Sequence, residues 1–285
     1  MERVVKAFTF VGVFDSSGFF KAVTLVCVFR SERFIKASIK HVRSLFLTKK
    51  TSKMELRKRL GSGGFAEVYE GVYQGKSVAV KRMKTSTKNP AATREAFQAE
   101  ACALNLNHPH VIHVLVAEPE MIVMEFIPEA STLQALIEDE LPYRWRTLAQ
   151  QLVQAVSYLH THDILHLDLK PANILINPQQ QCKIIDFGCS QPRAHPSHSA
   201  CLGTIAYRAP ELFKGELPTT KADIYSLAIT LWVLKHQQIP YRGQQDAILI
   251  YQVVALGRRP SPDPEFQPLW HKDPLQRPDT EQLQF

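Results

Sequence analysis

His166-Leu167-Asp168-Leu169-Lys170-Pro171-Ala172-Asn173 is the stretch from which the rest of the 285-residue chain can be read. It spaces a carboxylate, an ammonium and a carboxamide too irregularly for one face of a helix. That pattern reads as a loop whose side chains converge on a reaction. Alone it is a modest signal, and its flanks decide what it is worth.

Downstream, Ile174-Leu175-Ile176 and Cys182-Lys183-Ile184-Ile185 read as a hairpin through Asn177-Pro178, followed by Asp186-Phe187-Gly188. Upstream, Tyr143–His160 repeats Leu148, Leu152, Val153, Val156 and Leu159 at helical spacing. Ser131–Glu138 reads as a short helix capped by Ser131. Val111–Val116 and Met121–Phe126 read as buried strands joined at Glu118-Pro119-Glu120. Thr93–Leu106 is helical by period and carries Glu100. His108 and His110 have no companion ligands and read as structural.

Further back, Leu60-Gly61-Ser62-Gly63-Gly64-Phe65-Ala66-Glu67-Val68 is a glycine-rich turn opening an alternating strand. Such a turn lets backbone N–H groups approach phosphate oxygens, although an ordinary hairpin has the same composition. Ser77-Val78-Ala79-Val80-Lys81 is a second strand. Its lysine follows Gly63 by 18 residues, close enough for antiparallel pairing to bring it under the turn. A solvated edge lysine and a surface Glu100 are the plainer readings of those two charges.

Length and a hydrophobic share of 45% allow one large domain or two lobes with a substantial core. The net charge of +7 is uneven. Residues 1–59 hold 14 Lys+Arg against 4 Asp+Glu, and the remainder holds 20 against 23. The body of the chain therefore gives no reason to expect a nucleic-acid partner. Five cysteines without a Cys-x-x-Cys pair favour reduced thiols in a cytosolic protein. No apolar run reaches the roughly 18 residues of a membrane-spanning helix.

Residues 1–53 form a basic extension of unclear structure. Two strands joined at Asp15–Gly18, or a signal-like segment from Val4 to Phe14, fit its first part. Phe34, Ile35, Ile39, Val42, Leu45 and Phe46 fit a basic amphipathic helix, packed on the body or resting on an anionic surface.

Taken together, the ordered pieces of residues 56–285 resemble the eukaryotic protein kinase domain. The glycine-rich turn, Val-Ala-Val-Lys, a helix glutamate, His-x-Asp-x-Lys-x-x-Asn, Asp-Phe-Gly and Ala209-Pro210-Glu211 occur in its order and spacing. The resemblance implies an α+β, bilobal protein kinase-like fold: a small β-rich N-lobe over about 54–127 and a larger helical C-lobe over about 128–285. It implies that Leu60, Gly61, Ser62, Gly63, Gly64, Phe65, Ala66, Glu67 and Val68 cover ATP, and that Lys81, oriented by Glu100, holds its phosphates. Val68 and Ala79 above and Leu175 below would enclose the adenine, beside Met124 and the backbone of Glu125-Phe126-Ile127. Asp168 would accept the proton of the acceptor hydroxyl, Lys170 would neutralise charge, and Thr204 would bridge the two. Asn173 and Asp186 would ligate Mg2+.

The resemblance goes further. Asp168-Leu169-Lys170-Pro171 and Gly203–Glu211 are similar to serine/threonine rather than tyrosine kinases. Several segments, including Asp186-Phe187-Gly188-Cys189-Ser190 and Lys221–Trp232, resemble a germ-cell subgroup of the family. That likeness implies a monomeric, cytoplasmic enzyme whose protein substrate is MAP kinase kinase. A pseudokinase scaffold and another kinase of the same cascade are the alternatives. Asp223 would brace the catalytic loop, Glu211 would pair with Arg277, and Leu104, His166 and Phe187 would stack as a spine.

Three departures stand out. Leu167 replaces the arginine that normally meets a phosphorylated activation loop, so Ser190, Ser197 and Ser199 are not expected to be required phosphosites. Ala66 replaces a glycine. Five prolines between Leu256 and Arg277 leave the end of the C-lobe shortened and without a long helix.

Overall fold

Alternating apolar residues in the first third build a five-stranded antiparallel sheet, in a computed structural model that describes residues 54–64, 66–84, 90–118, 121–197 and 203–285. The readings of residues 1–53 lie outside the described residues. The strands are β1 (Glu55–Ser62), β2 (Ala66–Tyr73), β3 (Lys76–Met83), β4 (Val114–Glu118) and β5 (Met121–Glu125), in the order β1-β2-β3-β5-β4. Val78, Val80 and Val123 pack on one face, while Ala66, Ala79, Ile122 and Met124 join the main core on the other. The period of two sorts them.

Helix α1 (Pro90–Ala101) lies between β3 and β4. The sequence suggested a helix to Leu106, but the chain tightens after Ala101. Cys102, Ala103 and Leu104 donate to carbonyls three residues back, at 3.1, 3.1 and 3.2 Å. That turn buries Ala103 and Leu106 and leaves Leu104 37% exposed. Leu104 is therefore not part of the buried spine expected of it. His166 and Phe187 are fully buried, with ring centroids 5.1 Å apart in an edge contact.

The second lobe begins with β6 (Ser131–Thr132) and α2 (Leu133–Glu138). Its cap is Thr132 rather than Ser131, because the helix begins at Leu133, and the Thr132 hydroxyl accepts from Ala135 N at 3.1 Å. Next come α3 (Trp145–Thr161), β7 (Ile164–Leu165), β8 (Ile174–Ile176), β9 (Cys182–Ile184), β10 (Gln191–Pro192), α4 (Pro210–Phe213), α5 (Thr220–His236) and α6 (Asp246–Val254). Helix α5 is buried from Ala222 to Leu234, the pattern of a helix apolar all round at the centre of a lobe. The N-cap Thr219 and the left-handed Gln237 (φ 54°) delimit it.

Beyond α6 the prolines do prevent a long helix. Turns instead insert Phe266, Leu269 and Trp270 into the core, and Phe285 stacks on Phe266 with centroids 6.2 Å apart. Among the described residues no helix is long and apolar enough to cross a membrane. Cys102 and Cys182 are free, but Cys189 is disulfide-bonded, which corrects the expectation of reduced thiols there. Sequence spacing carries no sign of which thiols meet in space.

Candidate active site

The loop from His166 to Asn173 is suspended from the first turn of α5. Asp223 is fully buried there, and its two oxygens accept the backbone N–H groups of His166 and Leu167, both at 2.8 Å. His160 Nε2 approaches the same carboxylate at 3.0 Å. These bonds hold Leu167 at φ 62°, a left-handed conformation rare for a residue with a branched side chain. The Leu167 side chain is buried in the core. Burial works against the Asp223 charge, but hydrogen bonding and His160 outweigh it and hold the carboxyl below its usual range.

Asp223→Asn keeps the shape, yet its NH2 cannot accept, so one of the loop amides loses its partner. A loss of about 1–3 kcal/mol is expected, measured by urea denaturation at neutral pH. The Asp223 contribution is fully present above its unfolded pKa of about 4 and disappears as pH falls below that. The wild type and Asp223→Asn should therefore converge in stability on acidification; parallel curves would contradict the assignment.

Asp168, at the centre of the loop, is 8% exposed and fully used. One oxygen accepts from Thr204 N at 2.8 Å and Thr204 Oγ1 at 2.9 Å. The other accepts from Lys170 Nζ at 2.7 Å and Asn173 Nδ2 at 3.0 Å. Lys170 also donates to Thr204 Oγ1 at 2.7 Å, so Thr204 bridges the pair as the resemblance implied.

Gly203 makes this closeness possible. It has φ +75°, and a Cβ built on it would sit 2.2 Å from the Leu167 carbonyl oxygen and 3.1 Å from Asp168 Oδ1. Gly203→Ala should therefore push Thr204 off Asp168 and reduce turnover at least tenfold, with a smaller change in thermal stability. Equal turnover in a steady-state assay would refute the tight approach.

Across the cleft, Lys81 donates to both Glu100 and Asp186, the latter at 2.8 Å. The register Lys81↔Val68 puts the lysine beneath the strand that follows the glycine turn. Burial opposes the Lys81 charge, but Glu100 and Asp186 raise its basicity on balance. Burial pushes the Glu100 carboxyl up to about 7, with Lys81 opposing. Enclosure works against the Asp186 charge too, yet Lys81 holds that carboxyl below the usual range. Pairing of Ile174 with Ile184, and Ile185 N donating to Asn173 O at 2.9 Å, bring Asn173 and Asp186 together. Asn173 spends its Nδ2 on Asp168, which leaves its Oδ1 for a cation; with the Asp186 carboxylate this is an oxygen set suited to magnesium.

A single large cleft collects most of the expected residues. Leu60, Gly61, Gly63, Gly64, Ala66 and Val68 line its roof with Ala79, and Leu175 lies on its floor, with Met124, Glu125 and Ile127 along the back. No atom lies within 4 Å of where a Cβ would stand on Gly61 or Gly64, so the turn leaves open space for a ligand. Ala66 opens β2 opposite Met83, and an extended strand position accepts the methyl group.

Lys170, Asn173 and Thr204 stand behind Asp168 rather than in the cleft lining, and two residues of the glycine-rich stretch are also absent from it. Ser62 and Glu67 are register partners, and the period of two turns them outward. Glu67 accepts instead from Tyr69 Oη at 2.8 Å. The Glu125 side chain is likewise spent elsewhere, on Lys183 at 2.8 Å and His113 N at 2.7 Å, so only its backbone faces the cleft. Phe65 lies outside the described residues. Arg208 lines the cleft without having been expected there, although the Gly203–Glu211 stretch that contains it was part of the resemblance. Ser190 is buried, with its hydroxyl 3.4 Å from the His166 carbonyl, and offers no surface phosphosite.

This arrangement is that of a phosphoryl-transfer enzyme, and comparison with known proteins gives the same class: residues 54–282 match the family described as protein kinase domain, and the chain belongs to it. A serine/threonine-protein kinase mos of Xenopus laevis is 40% identical over 263 residues, covering 79% of this chain and 72% of that protein. One of Patiria pectinifera is 37% identical over 237 residues, with 76% and 67% covered. A proto-oncogene serine/threonine-protein kinase mos of Sus scrofa is 40% identical over 235 residues, with 72% and 68% covered. Within the protein kinases this chain is a mos-like serine/threonine kinase.

Proposed function

We propose that residues 54–285 transfer the γ-phosphate of ATP to serine or threonine hydroxyls of MAP kinase kinase, as a cytoplasmic monomer acting in oocyte meiosis and metaphase II arrest. The observation that carries the chemistry is the Asp168 carboxylate, fixed by four donors beside the Lys81–Glu100–Asp186 cluster. Phosphoryl transfer needs positioning and charge stabilisation more than covalent chemistry. Lys81 orients the nucleotide phosphates, and Asp168 orients the acceptor hydroxyl and takes its proton. Lys170 lies against Asp168 with its charge toward the transferred group. Asn173 and Asp186 would hold Mg2+, which would offset the negative charge of the phosphates when bound. The biological role is carried by likeness to the mos kinases alone.

The experiment uses the full chain with magnesium ATP and a kinase-inactive MAP kinase kinase. Phosphoserine or phosphothreonine on that acceptor is expected, abolished by chelating magnesium. Nucleotide binding without transfer to any protein would leave a scaffold, and transfer only to other proteins would remove the MAP kinase kinase assignment. Replacing Ser190, Ser197 and Ser199 together by alanine should change the rate less than threefold. Collapse of activity in that folded variant would show that the activation segment needs phosphorylation after all.

A further inference from the structure

Arg208 lines the same cleft as Asp168 and Gly203. One arm of its guanidinium is committed: Nη2 donates to the Gly203 carbonyl at 2.5 Å. The group rests on the Phe213 ring, 4.9 Å from its centroid. Its Nε is buried with no hydrogen-bond partner, and no carboxylate among the described residues forms an ion pair with it. Arg277 shows the contrast, since both its terminal nitrogens reach the Glu211 carboxylate.

A half-buried guanidinium without a direct ion pair has given up hydration and received only a partial return from more distant charge. Burial draws its basicity down, and the nearby Asp168 charge opposes that. The guanidinium edge is a planar fork suited to a carboxylate. The other acidic residues of the cleft, Glu95, Glu100, Glu125, Glu129, Asp168 and Asp186, repel an incoming acid. Lys81 is already shared between Glu100 and Asp186 on the nucleotide side. An acidic group entering with the acceptor therefore finds its match at Arg208.

We propose that Arg208 is a specificity-determining residue that selects protein acceptors carrying an Asp or Glu side chain close in sequence to the phosphorylated serine or threonine. This rests on the reading of the cleft as a protein kinase site. Nothing in it depends on which protein is the acceptor.

The test uses the full chain, magnesium ATP and an array of single-serine peptides. Each flanking position within two residues of the serine carries Asp, Asn or Lys. The wild type should prefer Asp over Lys at one position or more by about tenfold in kcat/KM, between what exposed and fully buried charge pairs supply. Arg208→Lys should keep the sign of the preference, and Arg208→Glu should reverse it. A variant that merely loosens the segment lowers all peptides alike, so equal losses across the array would overturn the proposal in favour of a bracing role. A raised KM for ATP with an unchanged peptide preference would overturn it in favour of a phosphate contact.

If the wild type modifies no peptide but does modify MAP kinase kinase, the same comparison is made on that protein. Its acidic side chains next to the phosphorylated residue are then replaced by Asn or Lys. Indifference to those changes overturns the Arg208 assignment alone. Failure to modify either the array or MAP kinase kinase removes the kinase reading itself.

Discussion

Asp168→Asn should lower phosphate transfer to protein by about 10²–10⁴-fold, the range that loss of a positioned proton acceptor produces, while nucleotide binding persists. The size follows from how the carboxylate is held. All four of its close partners are donors: Thr204 N and Oγ1 on one oxygen, Lys170 Nζ and Asn173 Nδ2 on the other. An asparagine must turn its NH2 toward one of those pairs. Facing Lys170 it sets donor against ammonium, and facing Thr204 it releases the activation segment. Either way the acceptor hydroxyl loses both its base and its position. Single-turnover transfer and nucleotide titration separate the two effects. Full activity of the variant would remove Asp168 from the mechanism.

The largest loss of stability is expected from Arg277→Met. Arg277 has a side chain with no exposed surface, and it meets Glu211 in a bidentate pair at 2.6 and 2.8 Å. It also donates to the carbonyls of His271 at 2.9 Å and Lys221 at 2.8 Å. Removing it strands a buried carboxylate at the start of α4, together with two backbone acceptors. Breaking a buried pair from one side costs roughly 3–5 kcal/mol, or about 6–20 °C in Tm for a domain of this size. The double variant Glu211→Leu/Arg277→Met should recover much of that loss, because no charge is then left unpaired. A double variant no more stable than the single would mean that the pair matters through shape rather than charge.

The β-rich lobe was legible from alternation, and helix α3 from the helical spacing of its apolar residues. Asp168, Lys170 and Asn173 are close in sequence, and Lys81 and Asp186 were recognisable because the motif order resembles a family. Two kinds of detail were not legible. The first is the face on which a residue lies when the chain changes period. Leu104 rotates outward because α1 tightens after Ala101, and α2 begins at Leu133, which makes Thr132 and not Ser131 its cap. The second is the direction of side chains within a recognised motif. Ser62 and Glu67 belong to the glycine-rich stretch, yet strand alternation turns them from the cleft.

The sequence by itself determined that this chain is a protein kinase of the mos type. Phosphoryl transfer needs a few residue kinds in a fixed order, and that order survives without knowledge of the fold. Tertiary structure decided what stands around them. Asp223, 55 residues beyond Asp168, supports the loop from beneath, Gly203 supplies the room for Thr204, and Arg208 faces the cleft without a counterion. These depend on distances between segments remote in the chain, and hydrogen bonds and burial are properties of space rather than of order along the backbone. Leu167 belongs to both accounts: its identity is written in the sequence, but its left-handed backbone and its place in the core exist only once Asp223 has folded beneath it.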